Sequence, residues 1–311
     1  MARIDIRNAF THEPEPLDFV LPGLLTGTVG TLFSPGATGK SFLLLEAAMG
    51  IACAVAGGDL LGLRAGLPSG RRVAYLAAED GVPVLQHRIH AIGQHLPPAA
   101  RDAIADALDI ECMVGLRFNI MDDRHLRELA DFAVGARLLV IDTISRVHQL
   151  DENSASDMAR LLGNLEFVAG ETSAAVVFAQ HVAKSAARDG QGDQQHAARG
   201  SSVLTDNARW GAALTRMTEN EAANHSDDPI TLRPISAGAR TWYVRMSIPK
   251  NNYSEPIEDR WFRRGEGGVL VPANLIEVKG GKAQAKPQEM SYRQAKDGQS
   301  QKLAGGRDDW E

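Results

Sequence analysis

Cysteine is scarce in this chain. Cys53 and Cys112 are its two cysteines in 311 residues, too few for a disulfide framework and not spaced as metal ligands. A reducing compartment fits that usage. Long apolar runs are missing as well. None reaches the roughly 18 residues of a membrane span, and the N-terminus lacks the basic-then-apolar pattern of a secretory signal. A cytoplasmic protein with no membrane partner is expected. There is also no excess of basic charge: 33 Lys and Arg against 39 Asp and Glu give a net charge of −6. A surface built as a whole to bind polyanions is therefore excluded, and any nucleic-acid contact must come from a local patch. Internal repeats are not evident. The 44% hydrophobic and 23% charged residues are ordinary for a globular chain, and the length allows a substantial core.

Against that background one stretch stands out, Thr28 to Ser41. An apolar β-rich run, Val29 to Phe33, breaks at Ser34-Pro35-Gly36, and the chain resumes at Ser41 as a strong helix former. Strand, glycine-rich turn, Gly39-Lys40-Ser41 and helix is the order that a nucleoside triphosphate site needs. Small residues let backbone N–H groups curl around phosphate, and the helix N-terminus adds partial positive charge. Pro35, Gly36, Ala37, Thr38, Gly39 and Phe42 complete the candidate cradle. Lys40 is placed to reach the β- and γ-phosphates, and the Ser41 hydroxyl to sit on Mg²⁺. Ser34 stands where the strict pattern has its first glycine.

Three further strands end in polar residues. Arg72 to Ala78 reads as a buried parallel strand and runs into Glu79-Asp80. Carboxylates at such a strand end are where open α/β sheets bind ligands. Glu79 is the candidate for chemistry, and Asp80 is assigned to capping a helix over 82–95. Arg137 to Ile141 delivers Asp142 in the pattern that places one carboxylate in a Mg²⁺ shell. Ala174 to Ala179 ends in Gln180-His181, either near a γ-phosphate or a hydrogen-bonded strand-end pair. The helix after the phosphate loop is expected to run to about Val55, stopped by Gly57-Gly58. Other helices are expected at about 99–107, 123–134 and 155–171, the last behind a capping box at Ser154 and Asp157.

The remaining chain divides by composition. Residues 1–27 carry Pro14, Pro16, Pro22 and scattered apolar anchors, an arm that docks on its own core or on a neighbouring subunit. Residues 28–278 form the main domain. Within it, 183–199 is a long loop almost free of large apolar residues, with Lys184, Arg188 and Arg199 against Asp189 and Asp193. Residues 219–229 read as an acidic loop. Thr241 to Ile248 and the Trp261 to Leu270 hairpin suggest antiparallel edge strands beside a parallel core. Residues 279–311 lack apolar periodicity and are expected to be largely disordered.

Taken together, Ser34 to Ser41, Ala78-Glu79-Asp80, His87 to Ala91, Val140 to Thr143, Gln180-His181, and Arg199 to Leu204 with Asp206, Asn207, Arg209 and Trp210 resemble one family. It is the RepA-type hexameric replicative DNA helicases of IncQ plasmids, built on a RecA-like core. Leu17-Asp18-x-Val20-Leu21-Pro22 and Asp259 to Arg264 extend the likeness over about 15–275. The resemblance implies an α/β RecA-like P-loop NTPase, with a central mostly parallel sheet flanked by helices and antiparallel edge strands. It implies ATP and Mg²⁺ as ligands and a ring, a homo-hexamer, that translocates on single-stranded DNA and unwinds duplex during plasmid replication, with a plasmid initiator and a primase as possible partners. By position, Glu79 becomes the general base, Asp142 the Mg²⁺ carboxylate and His181 the γ-phosphate sensor. Arg209 becomes an arginine finger acting on the neighbouring subunit, and Arg88 a residue near the active site. Lys184, Arg188 and Arg199 become the single-strand contacts, their small net charge repeated around the lumen. The family has His-His where this chain has Gln180-His181, and serine is its residue at position 34. The rival reading is a RecA-like ATP-dependent switch or recombinase-type ATPase that binds DNA without unwinding it.

Overall fold

A computed structural model describes residues 3–66, 70–181 and 202–278. The loop 183–199, with Lys184, Arg188 and Arg199, and the tail 279–311 lie outside the described residues.

The N-terminal segment opens with α1 (Ile6–Thr11), which ends before Pro14. Its start is capped by Asp5, whose carboxylate accepts the Arg7 and Asn8 N–H groups at 3.0 and 3.1 Å. α1 buries none of its residues, and Ile4, Phe10 and Leu17 are exposed. The core begins at the antiparallel ribbon of β1 (Phe19–Leu21) and β2 (Leu24–Leu25), where Val20, Leu21 and Leu24 are buried.

From there α and β alternate. β3 (Val29–Ser34) feeds α2 (Lys40–Ala52), then β4 (Val73–Ala77), α3 (Val82–Gly93), α4 (Pro98–Ala107) and β5 (Leu108–Cys112). α5 (Asp123–Ala133), β6 (Leu138–Asp142), α6 (Ala155–Thr172) and β7 (Ala175–His181) follow. After a short helix, Ser202–Asn207, come β8 (Trp210–Arg216), β9 (His225–Ser226), β10 (Tyr243–Asn251), β11 (Arg260–Arg264), β12 (Leu270–Pro272) and β13 (Ile276–Glu277).

Among the described residues, one nine-stranded sheet has the order β12-β11-β10-β8-β3-β7-β6-β4-β5. β8 to β5 are parallel and β10, β11 and β12 are antiparallel. This is an α/β fold with a central, mostly parallel sheet flanked by helices and an antiparallel extension on one side. Successive strand residues face opposite layers. Tyr75, Ala77, Val140, Val177 and Ala179 pack with α2, α3 and α4. Ala74, Leu76, Leu139, Ile141, Val176 and Phe178 pack with α5 and α6. Apolar burial on both faces explains why the parallel strands read as unbroken hydrophobic runs.

Two local expectations are corrected. α2 stops at Ala52, where the Cys53 N–H closes the last turn on the Met49 oxygen at 3.1 Å. Gly58 serves a different need: a Cβ there would stand 2.2 Å from Cys53 Sγ. Residues 219–224 are helical rather than loop. Thr218 and Glu221 form a reciprocal capping box, which fixes a turn too short to show periodicity. At α6, Ser154 accepts the Asp157 N–H at 3.3 Å.

α2 also carries a buried carboxyl. Glu46 is 1% exposed; its Oε1 accepts the Leu270 N–H at 2.8 Å and its Oε2 has no partner among the described residues. Burial pushes its pKa up to about 8, against the lowering effect of the Leu270 N–H. The folded protein therefore holds a proton that the unfolded chain releases near 4.5. The stability tied to that proton is complete below the unfolded pKa and is lost as pH rises toward 8. Glu46→Gln keeps the acceptor for Leu270 and removes the titration. Its melting temperature is expected to match wild type near pH 4.5 and to exceed it increasingly up to pH 8.5. By then the advantage is on the order of a few kcal/mol, from about 1.4 kcal/mol per pKa unit. Thermal melts across that range check it, and parallel pH profiles for the two proteins would refute it.

Candidate active site

Sheet order decides which side chains meet. β3 lies between β8 and β7, β7 separates it from β6, and β4 is next to β6. Ser34 pairs with His181, Ala77 with Asp142 and Ile141 with Phe178, so the four parallel strands end at one edge, with β3 and β7 reaching two residues beyond β4 and β6. Past Ala77, the N–H groups of Ala78 and Glu79 both approach the Asp142 oxygen, at 2.7 and 3.2 Å. The phosphate loop and the strand-end residues Glu79, Asp142 and His181 thus share one edge.

The loop is held by its own small side chains. Ser34 Oγ and Thr38 Oγ1 donate to the Pro35 oxygen at 2.9 and 2.8 Å, and Thr38 is fully buried. Gly39 takes φ +107° just before α2, a conformation that a side chain would strain. Lys40 opens the helix. It is 5% exposed, and its Nζ lies 3.1 Å from His181 Nδ1. An ammonium has protons to give and no lone pair, so Nδ1 is placed to accept from it, which leaves the other ring nitrogen, Nε2. That nitrogen faces Glu79 Oε2 at 3.5 Å. Burial lowers the Lys40 pKa, opposed by the charges of Asp142 and Glu79.

Asp142 is 4% exposed. The Tyr75 hydroxyl donates to its Oδ2 at 2.8 Å. Burial raises its pKa, while the Ser41 and Tyr75 hydroxyls and the Lys40 charge pull it down. Oδ1 is buried with no hydrogen-bond partner among the described residues. A buried carboxylate oxygen left open beside a serine hydroxyl is costly unless a cation or its water completes it. The donor set, one carboxylate and one hydroxyl both of oxygen, suits Mg²⁺.

Several residues sit elsewhere than expected. Asp80 does not cap α3; the N-cap is Gly81 and has no side chain to donate or accept. Asp80 instead pairs with Arg88 at 2.5 Å, because from the second turn of α3 the guanidinium returns over the strand end. Arg88 also lies 5.4 Å from the Phe42 ring centroid, so it reaches the first turn of α2. Gln180 and His181 point to opposite faces, as neighbours in a strand must. Gln180 is buried, and its amide nitrogen donates to Thr205 Oγ1 at 2.9 Å. Gln180 is thereby tied to the helix Ser202–Asn207 and not to Lys40.

Arg209 is exposed and stands at the other end of the sheet. Its N–H donates to the Val29 oxygen at 3.1 Å, where β3 begins. The loop begins where β3 ends, five residues later, about 17 Å away at the usual rise per residue. Arg209 therefore cannot serve the phosphate loop of its own chain.

Sequence reasoning missed Tyr75, Arg216 and Arg264. A lone tyrosine in the small aliphatic strand Val73–Ala77 was the one signal to follow, since a buried hydroxyl needs a partner. Arg216 and Arg264 both reach the Ala37 carbonyl, at 2.8 and 3.0 Å. Their approach depends on pairings between strands far apart in sequence.

A family model described as AAA domain matches residues 3–187, more than half of the chain. Among solved structures, the crystal structure of the RadB recombinase is similar over 79% of this chain and 91% of that one, at 16% identity and a TM-score of 0.48. No helix among the described residues is long and apolar enough to cross a membrane.

Proposed function

From its membership of the AAA-domain family, which the match over 3–187 establishes, we propose that this chain is a ring-forming ATP-dependent DNA helicase. It translocates on single-stranded DNA and unwinds duplex during plasmid replication. The observation that carries the proposal is the split of the machinery across the sheet. Lys40, Ser41, Glu79, Asp142 and His181 gather at one edge, and Arg209 waits at the other.

The arrangement supports the following roles, which the family resemblance implies. Loop N–H groups and Lys40 bind the β- and γ-phosphates of ATP. Ser41 and Asp142 would hold Mg²⁺, which supplies charge neutralisation at the phosphates when bound. Glu79 takes a proton from the attacking water. His181, between Lys40 and Glu79, registers the γ-phosphate, because the Lys40 ammonium cannot serve both the ring and the phosphate fully. Arg88 and Phe42 flank the first turn of α2. Arg209 stabilises the transition state in the adjacent subunit, so turnover depends on the interface. A head-to-tail contact that closes gives a ring, and the hexamer is adopted from the family resemblance. Lys184, Arg188 and Arg199 contact the strand in the lumen.

Strand displacement from a forked duplex with ATP and Mg²⁺ tests the activity. Displacement that requires ATP hydrolysis is expected. ATP turnover without displacement, under low salt where DNA contacts are strongest, would favour the switch or recombinase-type reading instead.

A further inference from the structure

Two guanidinium groups converge on one carbonyl of the phosphate loop. Arg216, the last residue of β8, donates from Nη2 to the Ala37 oxygen at 2.8 Å and lies 3.5 Å from the Gly36 oxygen. Arg264, the last residue of β11, donates from its own Nη2 to the same Ala37 oxygen at 3.0 Å. Like charges brought that close repel. Among the described residues, neither arginine has a carboxylate within ion-pair distance. Arg264 Nε is also buried without a partner among them. Burial, and then the Arg216 charge, lower the Arg264 pKa. Such a pair is disfavoured on its own and relieved by an anion nearby.

The loop geometry says where that anion lies. In a trans peptide the C=O and the following N–H point in opposite directions. With the Ala37 oxygen drawn to the arginines, the Thr38 N–H turns to the other side of the loop. The Gly36 oxygen, drawn to Arg216, turns the Ala37 N–H the same way. Ala37 itself sits at φ +56°, a left-handed conformation unusual for alanine. A left-handed residue in such a turn lines successive N–H groups into an anion-binding concavity.

We propose that Arg216 and Arg264 are positioning residues of the phosphate site. They clamp the Ala37 carbonyl on the outer face of the loop, keep the Ala37 and Thr38 N–H groups aimed at the nucleotide phosphates, and add positive potential behind them. This rests on the phosphate-site assignment above and goes beyond it, since both arginines lie outside the residues matched by the family model. Arg264 is also the last residue of the Asp259 to Arg264 stretch.

The test is calorimetric binding of pyrophosphate and of ADP, each over a range of salt, to wild type, R216Q/R264Q and R216K/R264K. The glutamine pair is expected to bind both ligands at least about tenfold more weakly, the loss of two charge-assisted contacts, and with a shallower salt dependence. The lysine pair keeps the charge but loses the planar fork, and intermediate affinity with the wild-type salt slope is expected. A purely structural role would lower the melting temperature and leave the salt slope unchanged. If the glutamine pair does not fold, the exposed Arg216 alone, as R216Q, must still show weaker pyrophosphate binding. Wild-type affinity and slope in a folded glutamine variant overturn the inference by itself. A wild-type protein that binds neither ADP nor pyrophosphate overturns the phosphate-site assignment, and the inference with it.

Discussion

Arg209→Ala is expected to lower ATP turnover by about 10³- to 10⁵-fold, the usual worth of an arginine finger, while ADP binding stays largely intact. The expectation comes from position. Arg209 begins beside Val29, at the opposite end of β3 from the phosphate loop. It therefore has nothing to give its own site's affinity, and its side chain is exposed, so the substitution leaves the core alone. Its charge is felt by Lys250, whose pKa is lowered first by burial and then by Arg209, against the raising effect of Asp206. Removing Arg209 consequently relieves a repulsion within the chain, and the fold is not expected to weaken. Steady-state hydrolysis beside ADP titration checks the prediction. Wild-type turnover in the variant removes Arg209 from the machinery.

Lys40→Ala is expected to abolish hydrolysis and to weaken binding of both ATP and ADP. Unlike Arg209, Lys40 lies within the site, at the first position of α2 and 5% exposed. It is the cation closest to where the strand-end residues meet, bonded to His181 and attracted by Asp142 and Glu79. Without it, the β- and γ-phosphates lose their point-charge partner and face two carboxylates. The free protein should remain folded, because burial already disfavours the Lys40 charge. Loss of turnover in a well-folded variant with unchanged ATP affinity would place Lys40 outside the phosphate contacts.

The two substitutions also separate what was readable in the chain from what was not. Lys40 and Ser41 were legible from the order of strand, glycine-rich turn, Gly39-Lys40-Ser41 and helix, and Glu79 and Asp142 because each stands at the end of a buried apolar strand, where open α/β sheets bind ligands. The parallel order was legible from unbroken apolar runs alternating with amphipathic helices. Long-range pairings were not. Asp80 looks like a helix cap until α3 brings Arg88 back over the strand end. Gln180 and His181 read as a pair until strand alternation sends one to Thr205 and the other to Lys40. Arg216 and Arg264 lie 179 and 227 residues from Ala37, and only the pairing of β8 with β3, with β10 and β11 added beyond it, brings them to the loop. Short elements escaped for a different reason: six residues such as Glu219–Asn224 are fixed by their cap and show no period.

The most direct measurement mixes the two inactive variants. If each site joins the Lys40 of one subunit to the Arg209 of the next, subunits of Lys40→Ala and Arg209→Ala co-assembled in equal amounts restore about one interface in four, by random pairing in a closed head-to-tail assembly. ATP turnover should then rise well above that of either variant alone, toward a quarter of wild type. A co-assembled mixture as inactive as its separate components would contradict a site shared between subunits.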